Sequence, residues 1–234
     1  MVTGRMAGVM TDVNRKRRAR QTRARIAAAA ARLFAARGYQ GTPMDAIAAE
    51  AGVAVQTVYF AFRTKAELLI AAYDQAVLGS LDAPTPDQQD WHLRVLAEAA
   101  HDPTQALRHL VDGVLDILGR SGPLEPVMLT SPDDEVRRAF QDRHQRRYQA
   151  HRQVIQTLAR HGGIHPGLDE HKATDLLYAV LSPELYTILC TSRGWAPEDF
   201  KHWVLATLQT QLLHPQPPQR RRGTRSPAGR APST

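Results

Sequence analysis

The chain has 234 residues, of which 43% are hydrophobic, and a formal charge of +7. That length and composition can bury a sizeable core, in one large domain or in a small domain plus a medium one. A single cysteine, Cys190, excludes an internal disulfide and a cysteine-only zinc site; no apolar run is long enough to span a bilayer, and the opening residues lack the apolar block of a signal peptide, so a cytoplasmic protein is expected.

The charge is laid out unevenly. Residues 1–40 carry +9 and residues 215–234 carry +5, which leaves the stretch between them at −7. Such a chain is suited to docking one end on a polyanion while the rest stays solvated. Residues 1–21 read as a disordered basic arm. Its Arg17, Arg18 and Arg20 can either follow phosphates or a minor groove, or simply solubilise the tail. Thr22 opens a first predicted helix, with Ile26, Ala30, Leu33 and Phe34 at helical spacing and Gly38 ending it. Thr42 as N-cap, Pro43 at the first helical position and Asp45 three residues after Thr42 predict a second helix over about 43–51. Gly52 is suited to the left-handed turn that stops this helix, and Val53 to plugging the corner. A third helix over about 55–61 turns Val58 and, beyond it, Phe62 inward. Two helices joined by so tight a turn form a helix-turn-helix, whose second helix enters the major groove.

A fourth helix is expected from Thr64 to about Leu78. Four helices in about 60 residues make a weak core that must lean on something else. After the breaks at Pro84 and Pro86, helices are predicted at about 87–101, 104–119 and 132–161. An apolar helix over 168–193 should be kinked by Pro183, and a last helix runs from Pro197 to about Leu213. From Pro215 the Pro/Arg composition reads as a disordered tail. The fold class is all-α, divided as arm 1–21, reader 22–64, helical domain 65–214 and tail 215–234.

The spaced residues Ala30-x-Arg32-Leu33-Phe34, Gly38-Tyr39, Thr42, Ile47-Ala48, Ala51-Gly52-Val53, Thr57-x-Tyr59, Phe62, Lys65 and Glu67-Leu68 together resemble the DNA-binding region of tetracycline-repressor-like (TetR-family) regulators. Leu181-Ser182-Pro183-Glu184 and Arg193-Gly194-Trp195-x-Pro197 resemble the last two helices of a subgroup. The resemblance implies a homodimer, each subunit with an N-terminal three-helix DNA-binding domain and a C-terminal helical ligand-binding and dimerisation domain. It further implies repression at a palindromic operator, relieved by a small-molecule effector. Within the reader, Gln56 and Thr57 are placed to reach base edges and Val55 to make apolar contact. Phe60 either touches a sugar or a thymine methyl or packs on the arm, while Tyr59, Thr42 and Lys65 are placed on phosphates.

Mapped onto this chain, the family's dimer bundle involves Leu177, Val180, Leu181, Leu185, Ile188, Trp203, Leu205 and Leu208, unless those residues close an internal core. Candidate effector contacts are Trp91, His109, Met128, Phe140, Tyr148, His151 and Tyr178, which combine apolar walls with polar anchors. The arginines Arg143, Arg146, Arg147 and Arg152 read as a solvated helix face or as an attraction for an anionic ligand. His161, His165 and His171 are interrupted by glycine and proline and predict no metal site, and no cofactor is expected. With no glycine-rich phosphate loop, nucleophile elbow or zinc signature, an enzyme is not expected. The competing class is a protein that coats DNA without sequence choice through its basic ends.

Overall fold

A computed structural model describes residues 3–214, with side-chain surroundings from residue 14 onward. Four helices form the N-terminal unit: α1 (Thr3–Arg37), α2 (Met44–Ala51), α3 (Val55–Ala61) and α4 (Lys65–Leu78). A 3-10 turn at Pro86–Gln88 leads into α5 (Asp90–Ala99) and α6 (Pro103–Ser121). A second 3-10 turn, Gly122–Leu124, runs into the short α7 (Glu125–Leu129), followed by the long α8 (Asp134–Arg160). The described residues close with α9 (Glu170–Val180), α10 (Pro183–Tyr186), a π-helical stretch Thr187–Ser192 and α11 (Pro197–Leu212). The fold is all-α; among the described residues the sole β-type pairing is one bridge between Ile164 and Leu213.

Several local expectations change. The basic run at 15–20 is helical, because α1 starts at Thr3 rather than Thr22 and no proline interrupts this Ala- and Arg-rich stretch. Thr42 is not the cap of α2. Pro43 holds that position without a side-chain hydrogen bond, and Thr42 is fully buried, its hydroxyl 2.8 Å from the Gly38 carbonyl oxygen and 3.2 Å from that of Leu33. It thereby ties the start of α2 to the last turn of α1 and to the glycine that follows it. The expected kink at Pro183 is a break. The residue before a proline is pushed out of the helical region, and Ser182 (ψ 147) instead caps α10 by accepting from the Leu185 N–H at 3.1 Å. The tail at 215–234 lies outside the described residues.

Two clusters of buried side chains hold the fold. The first joins Ile26, Phe34, Ile47, Val58, Phe62 and Leu69 of the first four helices to Met128, Val136 and Phe140 of α7 and α8. The weak four-helix core therefore does lean on a second layer. The other cluster is built from α5, α6, α8, α9 and α11 around Leu107, Leu110, Ile155, Leu177 and Phe200. Helix α4 connects the two layers: Arg143 of α8 grips Asp74 through two hydrogen bonds of 2.5 Å, and the Arg120 guanidinium donates to the Ala76 carbonyl at 2.9 Å.

Candidate nucleic-acid interface and effector cavity

The turn between α2 and α3 is built by Gly52, whose φ of +63° lies where a side chain would strain the backbone, and by the Val53 N–H donating to the Ala48 carbonyl at 3.0 Å. Val58 and Phe62 then have no exposed surface, and they fix which side of α3 faces out. That outer side carries Gln56, Tyr59 and Phe60, spaced i, i+3 and i+4. Phe60 is 92% exposed and Tyr59 53%. An aromatic side chain so uncovered on a seven-residue helix has no part in the fold of the subunit. Val55 and Thr57 are half-buried on the flanks, and Val55 packs partly against the core.

The end of α3 is clamped from α1. Arg23 donates to the Ala61 carbonyl and to Glu67 Oε1 (3.2 Å), and its guanidinium lies 4.0 Å over the Phe62 ring. Glu67 also accepts from the Arg63 N–H, while Thr64 caps α4 by accepting from the Glu67 N–H, each at 2.9 Å. The Lys65 ammonium sits 4.6 Å over the Tyr39 ring, and partial burial pushes its pKa down. Arg17, Arg18 and Arg20 are exposed along α1. Thr42, being buried and engaged within the chain, is removed from the set of phosphate contacts.

Behind the reader, α4, α5, α6, α7 and α8 line a cavity of about 210 Å³. Of the predicted contacts, Trp91 and His151 line it. His109 lies on an outer groove, paired with Glu98; Tyr148 bonds Asp175 at 2.9 Å near the surface; Met128 and Phe140 belong to the reader-side core. Tyr178 stands behind the wall, its hydroxyl 2.8 Å from His144 Nδ1. Tyr73, His92, Ser121, Glu125 and His144 line the cavity without having been singled out as ligand contacts in the sequence, whereas Arg143, Arg146 and Arg147, also in the lining, were read as a solvated face or an anion attraction. His144, Arg147 and His151 share one face of α8 with Phe140, and that helical spacing (i, i+4, i+7, i+11) was the available signal. The arginines of α8 are not uniformly solvated: Arg143 is paired with Asp74, and Arg147 stacks 4.2 Å over Tyr178.

The electrostatics of the cavity follow from burial. The Tyr73 hydroxyl donates to Glu125 Oε1, and desolvation together with that carboxylate pushes its pKa well above the ordinary range, so it stays protonated. Burial, reinforced by the positive charge of Arg147 and His92, lowers the His151 pKa to about 3. In the unfolded chain His151 titrates near ~6.5. Between pH 6.5 and 3 the unfolded state therefore takes up a proton that the native state refuses, and stability falls as pH falls through that window. By pH 5 the loss is about 2 kcal/mol. His151→Leu is expected to flatten the pH 7 to pH 5 change in urea stability by about that amount; an unchanged slope would place the titration elsewhere.

Trp91 forms the wall between the cavity and the outer groove. It packs onto α6 at Gly113, where an added Cβ would fall 2.4 Å from Trp91 Cε3. Elsewhere in a helix, Gly→Ala stabilises by about 1 kcal/mol through backbone propensity. Here the ring must move at a cost of about 1–3 kcal/mol. Gly113→Ala is accordingly expected to lower the urea midpoint at unchanged slope, and a rise in midpoint would show that Trp91 is not held against α6.

The profile described as "Bacterial regulatory proteins, tetR family" matches residues 26–72. The HTH-type transcriptional regulator TtgW of Pseudomonas putida is 39% identical over 95 residues, covering 36% of this chain and 67% of that protein. The chain belongs to the TetR family. It is therefore a DNA-binding transcriptional regulator. The HTH-type transcriptional regulator SrpR of Pseudomonas putida is likewise 39% identical over 95 residues, covering 36% of this chain but 42% of its own length. Among solved structures, NalD of Pseudomonas aeruginosa, the secondary repressor of the MexAB-OprM multidrug efflux pump, superposes with a TM-score of 0.64 at 24% identity, covering 85% of this chain and 100% of that one. The TetR fold thus extends beyond the reader through α11.

Of the residues assigned to the family's dimer bundle, Leu177, Leu181 and Leu208 are buried within the subunit's own core. They face inward because α9 turns one side onto α8 and α11 turns one side onto α6. Val180, Leu185 and Leu205 are half-buried, while Ile188 (52%) and Trp203 (37%) are exposed. Leu176 and Trp195 are exposed on the same segment of the fold, and Trp195 meets Trp203 edge-on at 6.1 Å. Among the described residues, no helix is long and apolar enough to cross a membrane.

Proposed function

We propose that the protein is a homodimeric repressor, released from an inverted-repeat operator when a small molecule enters the cavity behind α4. The observation that carries this is the outward face of α3, Gln56, Tyr59 and Phe60, standing on a helix whose other side is locked into the core. Residues 22–64 form the reader and 65–214 the effector and dimer region. Gln56 reads bases, and Tyr59 and Lys65 bind phosphate. A cation at the first position of α4 opposes the helix dipole, so a phosphate docked there relieves the repulsion. Arg17, Arg18 and Arg20 extend the phosphate contacts along the duplex. Two subunits join through Val180, Leu185, Ile188, Trp203 and Leu205, with Leu176 and Trp195 added to the face; an apolar surface of this kind is what a two-fold interface covers.

Helix α4 supplies the coupling. Its N-terminal end abuts α3, while its Tyr73 and Asp74 are bonded to Glu125 and Arg143 at the cavity. A ligand that binds one arrangement of these contacts better than the other shifts the spacing of the two readers. That NalD is a repressor supports the sign of regulation.

Selection of bound sites from random duplexes at about 150 mM salt, where nonspecific phosphate binding is weakened, tests the reading. A palindromic motif, bound by a species that light scattering sizes as a dimer, is the expected result. The +9 charge of residues 1–40 favours a second reading, a DNA-coating protein. Uniform binding that falls steeply with salt would establish it, and a clean monomer at micromolar concentration would sink the dimer.

A further inference from the structure

Six buried side-chain polar atoms among the described residues lack a hydrogen-bond partner, and five belong to residues that line the cavity behind α4: His92 Nε2, Ser121 Oγ, Glu125 Oε2, Arg147 Nε and His151 Nδ1. Native interiors leave few such atoms unmatched. Their concentration around one cavity marks a site completed by a molecule that is not part of the chain.

The chemistry of the unmatched atoms restricts that molecule. Glu125 Oε2 can only accept a hydrogen bond, and Arg147 Nε–H can only donate one. Glu125 Oε1 is already taken by Tyr73, and His144 Nε2 stands 3.6 Å from Oε2, beyond hydrogen-bond reach. A head group that satisfies both must donate and accept. An ammonium accepts nothing and leaves Arg147 unmatched; a carboxylate donates nothing and meets Glu125 as a like charge. A hydroxyl does both.

Net charge points the same way. The lining carboxylates Asp74, Asp87 and Glu125 are matched in number by the guanidiniums of Arg143, Arg146 and Arg147. Burial pushes the pKa values of His92 and His151 down, so these rings add no charge at neutral pH. His144 apart, the lining thus holds no charge that is not matched in number, and a charged ligand would be desolvated against a balanced wall. Size and shape complete the description. A cavity of about 150 Å³ admits benzene, so about 210 Å³ admits a body of one or two rings. Its walls include the Trp91 indole and the aliphatic Val77, Leu110, Val114 and Ile117, suited to a flat apolar ring.

We infer that the cavity takes a small uncharged aromatic molecule bearing a hydroxyl group, whose O–H donates to Glu125 and whose oxygen accepts from Arg147. This rests on the effector reading given above and names the class of effector.

Four probes sharing one ring system test it by calorimetry on the full-length protein at pH 7: 1-naphthol, naphthalene, 1-naphthoate and 1-naphthylmethylammonium. 1-Naphthol is expected to bind about 10- to 100-fold more tightly than the other three, the range of a hydrogen bond to a charged group. Glu125→Gln and Arg147→Met should each erode that advantage about tenfold while leaving naphthalene binding unchanged, which also reports that the cavity is intact. Tighter binding of the anion or the cation, or equal binding of naphthol and naphthalene, overturns the ligand class. So does binding of none of the four, which would mean that water alone completes the site. Because these measurements contain no DNA, their failure is distinguishable from a failure of the regulator reading, which the operator selection tests.

Discussion

Phe60→Asp is expected to abolish operator binding while leaving the fold untouched. At 92% exposure the ring makes almost no contribution to the subunit's core, so the change in stability should stay within about 0.5 kcal/mol. A carboxylate on the same face as Gln56 and Tyr59 would be driven against the phosphates, and a like-charge juxtaposition costs several kcal/mol. Three kcal/mol is already more than about a hundredfold in affinity. Phe60→Ala separates charge from contact: it should weaken binding by about tenfold or less, and most at sites offering a thymine methyl. Fluorescence anisotropy with the selected operator, paired with thermal unfolding of each variant, measures both halves. Unchanged affinity of the aspartate variant would mean that another face of α3 meets DNA, and the assignments of Gln56 and Tyr59 would fall with it.

What could be read from the sequence were features decided within a few residues. Gly38 and Gly52 end their helices, and the helical spacing that puts Val58 and Phe62 inside puts Gln56, Tyr59 and Phe60 outside. Thr42 shows the limit of that logic. A Thr-Pro pair before an apolar run looks like a helix start, yet the hydroxyl is used by α1 carbonyls that arrive only after folding. The cavity was harder to see for the same reason. Its polar members come from α4, α5, α6, α7 and α8, and their relation is tertiary. The helix α7, five residues between Leu124 and Thr130, is too short to show a period. In the dimer face the apolar residues were found but not sorted. Leu177 on α9 and Ile188 on the π-helical stretch are both strongly hydrophobic, and only tertiary packing decides that the first points inward and the second outward.

Phe62→Ala supplies the opposite case two positions along the chain. Phe62 has no exposed surface and sits where α3 ends, its ring beneath the Arg23 guanidinium at 4.0 Å. Truncating a buried phenylalanine costs about 3–5 kcal/mol. Loss of the ring also removes a cation–π contact worth about 1 kcal/mol and unseats the arginine that holds the Ala61 carbonyl and Glu67. The small N-terminal core cannot absorb such a loss alone, whereas α5, α6, α9 and α11 keep a cluster that does not include Phe62. Hydrogen exchange is therefore expected to rise selectively in residues 26–62, with protection retained in α6 and α11. Uniform loss of protection would instead mean that α4 binds the two layers into one cooperative unit. In that event the Asp74–Arg143 and Tyr73–Glu125 contacts join the layers in folding as well as in the response to a ligand.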